Sequence, residues 1–404
     1  MFRTLNHVAY SVGGCVRDEI LGIKSNDTDY VLVCTTEEFE SVFPDAEKVG
    51  QHFPIYLHPE TGDEIALTRS EKSSGDGYND FVVTGIGVSL KEDLYRRDFV
   101  FNMIAKHYVT DEIYDPYGGV DDIKNKEITV INPNVFVDDP VRILRCIRFS
   151  LRFNFKVAVG VMKLMKEHAH RLQHVTRERI ELELRKAYEQ CSTPSNFFRA
   201  LEHIGGLKYC GFEEFEKATT VLAGKPEHHP EGSVFNHLMI SFDKAKEKEY
   251  SYSVAIAALL HDLGKINSEE PPRHVGHEME IGVLDNFFEK HRFDSYTINL
   301  ASVVFRKHMQ THDITKIKKV VKLFRFITSI RKHMREDFFK ACNCDAELTQ
   351  EQIDIIKKVC HIIDTTKFDI PIEIQKRGKD AIKNFIENIY VQKYKEIEDD
   401  LSSL

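Results

Sequence analysis

The chain has 404 residues, 42% hydrophobic and 29% charged, which suits a soluble globular protein of about two to four domains that needs no disulfide staples. Its formal net charge of −9, taken as one sum, argues against a polyanionic partner, since phosphate binding needs a basic footprint. Apolar stretches such as Val254–Leu260 fall far short of the roughly 20 residues of a membrane span, and the N-terminus shows no secretory pattern.

In chain order, Val8–Val12 and Tyr30–Val33 are short β-prone runs on either side of a helical stretch, Cys15–Leu21. Ile55–Leu57 and Glu64–Thr68 bracket the turn signal Pro59-Glu60-Thr61-Gly62, which predicts a hairpin. Ser70–Gly77 is polar and glycine-containing and reads as a mobile loop. From about Asp138 a helical period persists to the C-terminus, so an α/β head precedes an all-helical remainder. Pro226 and Pro230 mark a boundary within that remainder. Eight cysteines without a CxxC pair read as reduced, mostly buried thiols of a cytoplasmic protein.

Two constellations carry chemistry. In the head, Gly13-Gly14 ends the first strand before the helix with Arg17 and Asp18. The glycines serve a tight turn, or let backbone amides approach a phosphate. Asp27-Thr28-Asp29 precedes the apolar run 30–33, and a strand period of two sets both carboxylates on one face. Alone, the triplet is also compatible with a solvated turn. After Gly-Gly and a helix it points to paired hard cations that promote in-line phosphoryl chemistry. Glu64, with Asp63 as the alternative, is the candidate third carboxylate from a neighbouring strand.

Gly13-Gly14-Cys15-Val16-Arg17-Asp18 with Asp27-Thr28-Asp29 resembles the opening of the bacterial tRNA nucleotidyltransferases (CCA-adding enzymes) and the related poly(A) polymerases. The likeness continues in order. Arg96-Arg97-Asp98-Phe99 with Asn102 resembles the family's RRDFTxNA motif, and Asp115-Pro116-Tyr117-Gly118-Gly119 its DPYxG turn. The run Asp138–Phe149 is similar to its EDPxRxLRxxRF helix, and Arg179–Leu184 sits where an ERIxxEL-type motif follows. The resemblance implies a polymerase-β-like nucleotidyltransferase head that uses Mg²⁺, CTP, ATP and tRNA. It implies catalytic Asp27, Asp29 and Glu64, with the first two as metal ligands. Gly13, Gly14, Arg17, Arg97, Asp98, Asn102, Arg145 and Arg148 then contact the nucleotide, and Asp139 and Arg142 read its base edge. An aspartate accepts from the exocyclic amine of cytosine or adenine, whereas guanine and uracil present a carbonyl there. At 100° per residue, Arg142, Arg145, Arg148 and Arg152 share one helical arc, either a solvated basic face or a row facing phosphates. Departures from the pattern are Asp138 for Glu, Cys15 for a smaller residue, Val100-Phe101 for Thr-Ile and Met103 for Ala. These bear on fine specificity rather than on metal binding.

The second constellation reads His237, His261-Asp262, Asp345, with His277 and His308 able to extend it to a second metal. His312-Asp313 is a second His-Asp pair without an apolar helix before it. The context Ala257-Ala258-Leu259-Leu260-His261-Asp262-Leu263-Gly264-Lys265 resembles the HD-superfamily phosphohydrolases. In one type of CCA-adding enzyme such a domain follows the transferase, and the 49–59 stretch resembles that type too. The resemblance implies an all-α HD domain with phosphodiesterase and phosphatase activity on a divalent transition metal such as Ni²⁺ or Mn²⁺. The expected organisation is a head over 1–136, a helical neck and body over 137–224, an HD domain over 225–365 and a helical tail over 366–404. No membrane association is expected, and a homo-oligomer is compatible with the sequence.

Lys316–Arg335 holds eight Lys or Arg and no acid, a solvated face or a tRNA contact. Residues 1–136 carry a net charge of −12 and residues 137–404 a net of +3. Divided in this way, the charge no longer argues against a nucleic acid.

Overall fold

A computed structural model describes residues 9–24, 28–49, 55–57, 64–73, 81–268, 272–311 and 317–402, with side chains for all of these except 72, 73, 81, 317–321 and 397–402. Asp27, Asp63, 74–77, His312-Asp313, Lys316 and residues 50–54 and 58–59 of the 49–59 stretch lie outside the described residues. The chain divides into two compact units, Met1–Ser192 with Asn196–Gly211, and Thr193–Ser195 with Phe212–Leu404.

The first unit begins with β1 (Ala9–Val12), β2 (Tyr30–Leu32), β3 (Lys48–Val49), β4 (Ile55–Leu57), β5 (Glu64–Leu67), β6 (Arg69–Ser73), β7 (Phe81–Ile86), β8 (Ala105–His107) and β9 (Ile113–Tyr114). Seven of these form a mixed sheet in the order β3-β4-β5-β2-β1-β8-β9, in which β2 and β5 run parallel and the other pairs antiparallel. Alternation buries both faces. Leu32, Ile65 and Leu67 pack on Phe39 and Tyr56, while Val31 packs with Val12, Leu90, Leu94 and Met103 on the other side. The expected β4–β5 hairpin is present.

Ser70–Gly77 differs from its reading as a loop, because 70–73 belong to β6, which pairs antiparallel with β7. Polar residues hold a strand there because the β-branched partner supplies the ladder, and Ser70 Oγ meets Thr84 Oγ1 at 2.9 Å.

Two motifs owe their form to local chemistry. Asp115 accepts from the amides of Gly119 (2.7 Å) and Val120 (2.9 Å), capping the helix Gly119–Asn125. Gly118 sits at φ +83°, and a Cβ on Gly119 would lie 2.4 Å from the Val100 carbonyl oxygen, so both glycines are required. The turn Val100–Asn102 then carries Phe101, which is fully buried and stacks with Phe99 while meeting Phe149, Phe153 and Phe155 edge-on. This aromatic cluster joins the sheet to the helix Val141–Phe153. One exception to the all-helical reading beyond Asp138 is a parallel two-residue pairing of β10 (Glu127–Ile128) with β11 (Lys156–Val157).

The second unit is helical. Its centre is Tyr252–Leu260, apolar on every side and therefore surrounded, with Val234–Glu247, Ser295–Lys307 and Arg335–Asp345 packed against it. The acid-free basic run meets distant acids: Arg325 pairs with Glu387, and Arg335 and Lys332 pair with Asp364. The eight cysteines are all free thiols. No helix of the described residues is long and apolar enough to cross a membrane.

Replacing Phe101 with alanine should remove about 3–5 kcal/mol from the first unit. Urea unfolding followed by far-UV dichroism will show a lower midpoint for it, while Val82→Ala, at a 54% exposed position, stays within about 0.5 kcal/mol of the parent.

Candidate functional site

A cavity of about 450 Å³ opens in the first unit. The junction after β1 contributes Gly13, Gly14 and Arg17, and the start of β2 contributes Asp29. The segment after the helix Leu90–Tyr95 adds Arg96, Arg97, Asp98 and Asn102. One face of Val141–Phe153 adds Arg142, Arg145, Arg148 and Arg152, and Asp139 lies just before it. Arg179, Lys186 and Gln190 come from the helix Arg177–Gln190. Every nucleotide-binding residue expected from the sequence thus borders one space.

Gly13 is held at φ +70°, a conformation that favours glycine, and a Cβ there would fall 2.6 Å from an Arg97 terminal nitrogen and displace that side chain. Its amide donates to the Ile104 carbonyl at 3.0 Å. Asp93, fully buried, accepts from the Arg69 amide and from Arg96 and Arg97, which aims both arginines. Asp98 accepts from the Phe99 amide (2.9 Å), Asn102 Nδ2 (2.8 Å) and Arg145 Nε (2.7 Å). Burial pushes the Asp98 carboxyl up, but Arg145, Asn102 and Arg142 outweigh it and hold the group at about 2.

The arginines divide by exposure. Arg17 is buried, donates from Nε to Asp18 (2.8 Å) and from Nη1 to Asn102 Oδ1 (2.7 Å), and lies over the Phe149 and Phe153 rings. Arg148 is buried against Glu183 at 2.6 Å and also reaches Gln190. These two brace the wall. Asp139 receives a two-pronged bond from Arg179, 3.0 Å to Oδ1 and 2.7 Å to Oδ2, and Oδ1 also accepts the Val141 amide. Arg142 donates to the Arg96 carbonyl at 2.9 Å.

Glu64 is exposed and does not border the cavity. Tyr30 and Ile65 are partners in the parallel β2–β5 register, so one residue back Glu64 stands beside Asp29. Sequence reasoning did not single out Asp93, Lys186 or Gln190. The available signal for the last two was the i, i+7, i+11 spacing from Arg179 along one helix face.

The second cluster lies in the second unit. His261 follows Tyr252–Leu260 directly, His237 sits on Val234–Glu247, and Asp345 ends Arg335–Asp345. A Cβ on Gly264 would lie 2.2 Å from the His277 carbonyl oxygen, so this glycine admits the turn that brings His277 in. His308 follows Ser295–Lys307. Facing pairs of ring nitrogens result: His237 Nε2 to His261 Nε2 and His277 Nε2 to His308 Nε2, both at 3.3 Å.

Each opposite ring nitrogen is occupied. His261 Nδ1 lies 2.8 Å from the Ala258 carbonyl, His277 Nδ1 2.8 Å from that of His274, His308 Nδ1 3.1 Å from that of Phe305, and His237 Nδ1 2.8 Å from Glu231 Oε1. Carbonyls only accept, so the Nδ1 atoms are the donors and the Nε2 lone pairs converge. They converge on carboxylates. Asp345 Oδ1 lies 3.1 Å from His237 Nε2 and 3.4 Å from His261 Nε2. Asp262 Oδ2 faces that same pair, while Oδ1 lies 2.8 Å from His277 Nε2 and 3.2 Å from His308 Nε2. That Oδ1 is buried without a hydrogen-bond partner.

Crowded lone pairs around an orphaned oxygen call for a cation, and the mixed imidazole–carboxylate set suits a divalent transition metal. Burial alone would lower the His261 pKa, yet the carboxylates of Asp262 and Asp345 outweigh it and raise it. Lys265 Nζ, 2.6 Å from Asp262 Oδ2, and Glu231, which orients His237, were not singled out from sequence.

The Poly A polymerase head domain family matches residues 9–129. A "Multifunctional CCA protein" of Acinetobacter baumannii is 37% identical over 351 residues, covering 84% of either chain. One from Nitrosospira multiformis is 38% identical over 345 residues, 83% of this chain and 82% of the relative. Among solved structures, a CCA-adding enzyme in an apo form superposes with a TM-score of 0.67 at 22% identity over 100% of this chain and 95% of the other. The Thermotoga maritima CCA-adding enzyme complexed with tRNA gives 0.62 at 21% identity over 98% and 91%. These superpositions agree with the fold, and the sequence identity to the curated relatives is what establishes kinship: the chain belongs to the family of multifunctional CCA proteins.

Proposed function

We propose that the first unit adds C, C and A to the 3′ end of tRNA from CTP and ATP, without a nucleic-acid template. The observation that carries this reading is the single cavity into which Asp29, the Arg96–Asn102 segment, Asp139 and Arg142 all open. Its support from kinship is the identity to multifunctional CCA proteins.

Asp27 and Asp29 are the proposed holders of Mg²⁺, and Glu64, beside Asp29 where β2 and β5 begin, is the proposed third carboxylate. Carboxylate oxygens suit that hard cation, which when bound offsets charge on a triphosphate and favours attack by a hydroxyl on the α-phosphate. Arg97 and Arg145 face the triphosphate, with Arg17 and Arg148 bracing the wall behind them and Gly13 keeping it open. Asp139 and Arg142 read the base. The Arg179 fork and the Val141 amide use part of the acceptor capacity of Asp139 and fix its plane, leaving a lone pair for an exocyclic amine. A guanine or uracil carbonyl at that place would leave Asp139 facing an acceptor, a loss of about 1–3 kcal/mol. We assign 1–136 to the transferase head and 137–224 to base and tRNA binding.

For residues 225–365 we propose a metal-dependent phosphoesterase of the HD type, with 366–404 as a helical tail. His237, His261, Asp262 and Asp345 are the ligands of one divalent metal such as Ni²⁺ or Mn²⁺. His277, His308 and the second oxygen of Asp262 are placed to hold another. A metal in this set lowers the pKa of a bound water for attack on a phosphoester.

Transcribed tRNA lacking its 3′ CCA, incubated with CTP and ATP and sequenced at the 3′ end, should end in CCA. Homopolymeric A would instead mark a poly(A) polymerase, and no addition with hydrolysis intact would refute the transferase. Asp29→Ala should lower addition at least 100-fold. Asp139→Ala should narrow the preference for CTP over UTP by about 10- to 100-fold, read from kcat/KM for each nucleotide.

Asp262→Asn should abolish hydrolysis of a model phosphodiester and leave CCA addition intact. Dialysis against a chelator should remove hydrolysis in the parent protein, and Ni²⁺ or Mn²⁺ should restore it. Activity that survives chelation counts against the metal site.

A further inference from the structure

Nine cationic side chains border the cavity of the first unit, and seven of them face a carboxylate within 4.0 Å. Arg142 has the Arg96 carbonyl. Lys186 differs from all of these: among the described residues, no hydrogen bond or ion pair involves its ammonium group.

Its position is set by the helix Arg177–Gln190. Arg179, Glu183, Lys186 and Gln190 follow at i, i+4, i+7 and i+11, a single stripe along one face. The stripe is pinned at three points. Arg179 grips Asp139, Glu183 receives Arg148 at 2.6 Å, and Gln190 receives Arg148 at 3.2 Å. Glu183 and Glu189 attract Lys186 through space, but Glu183 is already engaged by Arg148. Lys186 is therefore held on the cavity wall by a braced helix, with no direct ion pair among the described residues.

We propose that Lys186 is a phosphate-binding residue of this cavity, its ammonium group meeting a phosphate of the incoming nucleotide or of the RNA 3′ end. The inference rests on the reading that this cavity takes those two ligands. Partial burial and the neighbouring Arg148 and Arg145 lower the pKa of Lys186 against the pull of Glu183 and Glu189, a penalty that an arriving phosphate anion relieves. A lysine suits the task, because a compact ammonium on a flexible stem follows a phosphate, whereas seven of the eight surrounding arginines already pair with carboxylates.

The test compares the full-length parent, Lys186→Met and Lys186→Arg. Direct binding of CTP with Mg²⁺ and of tRNA lacking its 3′ CCA is measured over a range of salt, alongside KM for each substrate. If the phosphate belongs to RNA, Lys186→Met weakens tRNA binding about tenfold and lowers the log–log salt slope by about 1, with CTP binding unchanged. If it belongs to the nucleotide, the tenfold loss appears for CTP and ATP equally, because a phosphate contact does not read the base. Lys186→Arg restores most of either loss. The proposal is overturned if neither affinity moves by more than twofold. It is equally overturned if Lys186→Met lowers only kcat together with the melting temperature, since that pattern is structural. Should the parent protein bind both ligands and add nothing to tRNA, the transferase reading fails while the binding comparison still decides the role of Lys186.

Discussion

The cavity of the first unit depends on carboxylates that compensate seven of the nine positive charges on its wall. Guanidinium groups crowded into about 450 Å³ repel strongly at low local dielectric. Asp18, Asp93, Asp98, Asp139 and Glu183 each take one or two arginines, and in doing so fix where those arginines point. Asp98 shows the balance best. It is buried, which opposes its charge, yet its neighbours hold it ionised far below neutrality. The acids act as scaffold for the cations, an arrangement that suits the phosphate binding proposed for this cavity.

The second unit inverts this logic. There the excess is of lone pairs: four imidazole Nε2 atoms and two carboxylates face one another, with the Nδ1 atoms committed elsewhere. The first arrangement suits the anion proposed for it and the second the proposed cation. In both, some supporting partners are sequence neighbours, such as Asp18 beside Arg17 and the Ala258 carbonyl near His261. Others, such as Glu183 and Asp345, come from far along the chain. The aromatic cluster around Phe101 and the apolar helix Tyr252–Leu260 play matching roles as rigid platforms. Preorganisation of this kind spares a site from rearranging when its ligand arrives.

Much of this was legible along the chain. The β1–helix–β2 opening and the β4–β5 hairpin have the predicted order, with bounds shifted by a residue or two. The arc of Arg142, Arg145, Arg148 and Arg152 follows from helical period alone, because the local step angle does not depend on what packs nearby. The polar strand β6 was not legible. A strand made only of charged residues and serine is specified by its partner β7, a pairing that composition does not reveal. Likewise the run 316–335 reads as uncompensated positive charge until Glu387 and Asp364 are brought to Arg325 and Arg335 by folding.

By itself, then, the sequence determined the chemistry available: which carboxylates, histidines and arginines exist, the period on which they recur, and the family pattern they match. Only the tertiary structure decided how each of them is used. It made Arg17 and Arg148 buried braces while Lys186 stayed without a direct ion pair among the described residues, and it set Glu64 beside Asp29 at the start of two interior strands yet outside the cavity wall. It also placed the Asp262 oxygens between two histidine pairs. The physical reason is that burial and charge compensation are pairwise properties of groups distant in sequence, and no local pattern records which partner a charged side chain will find.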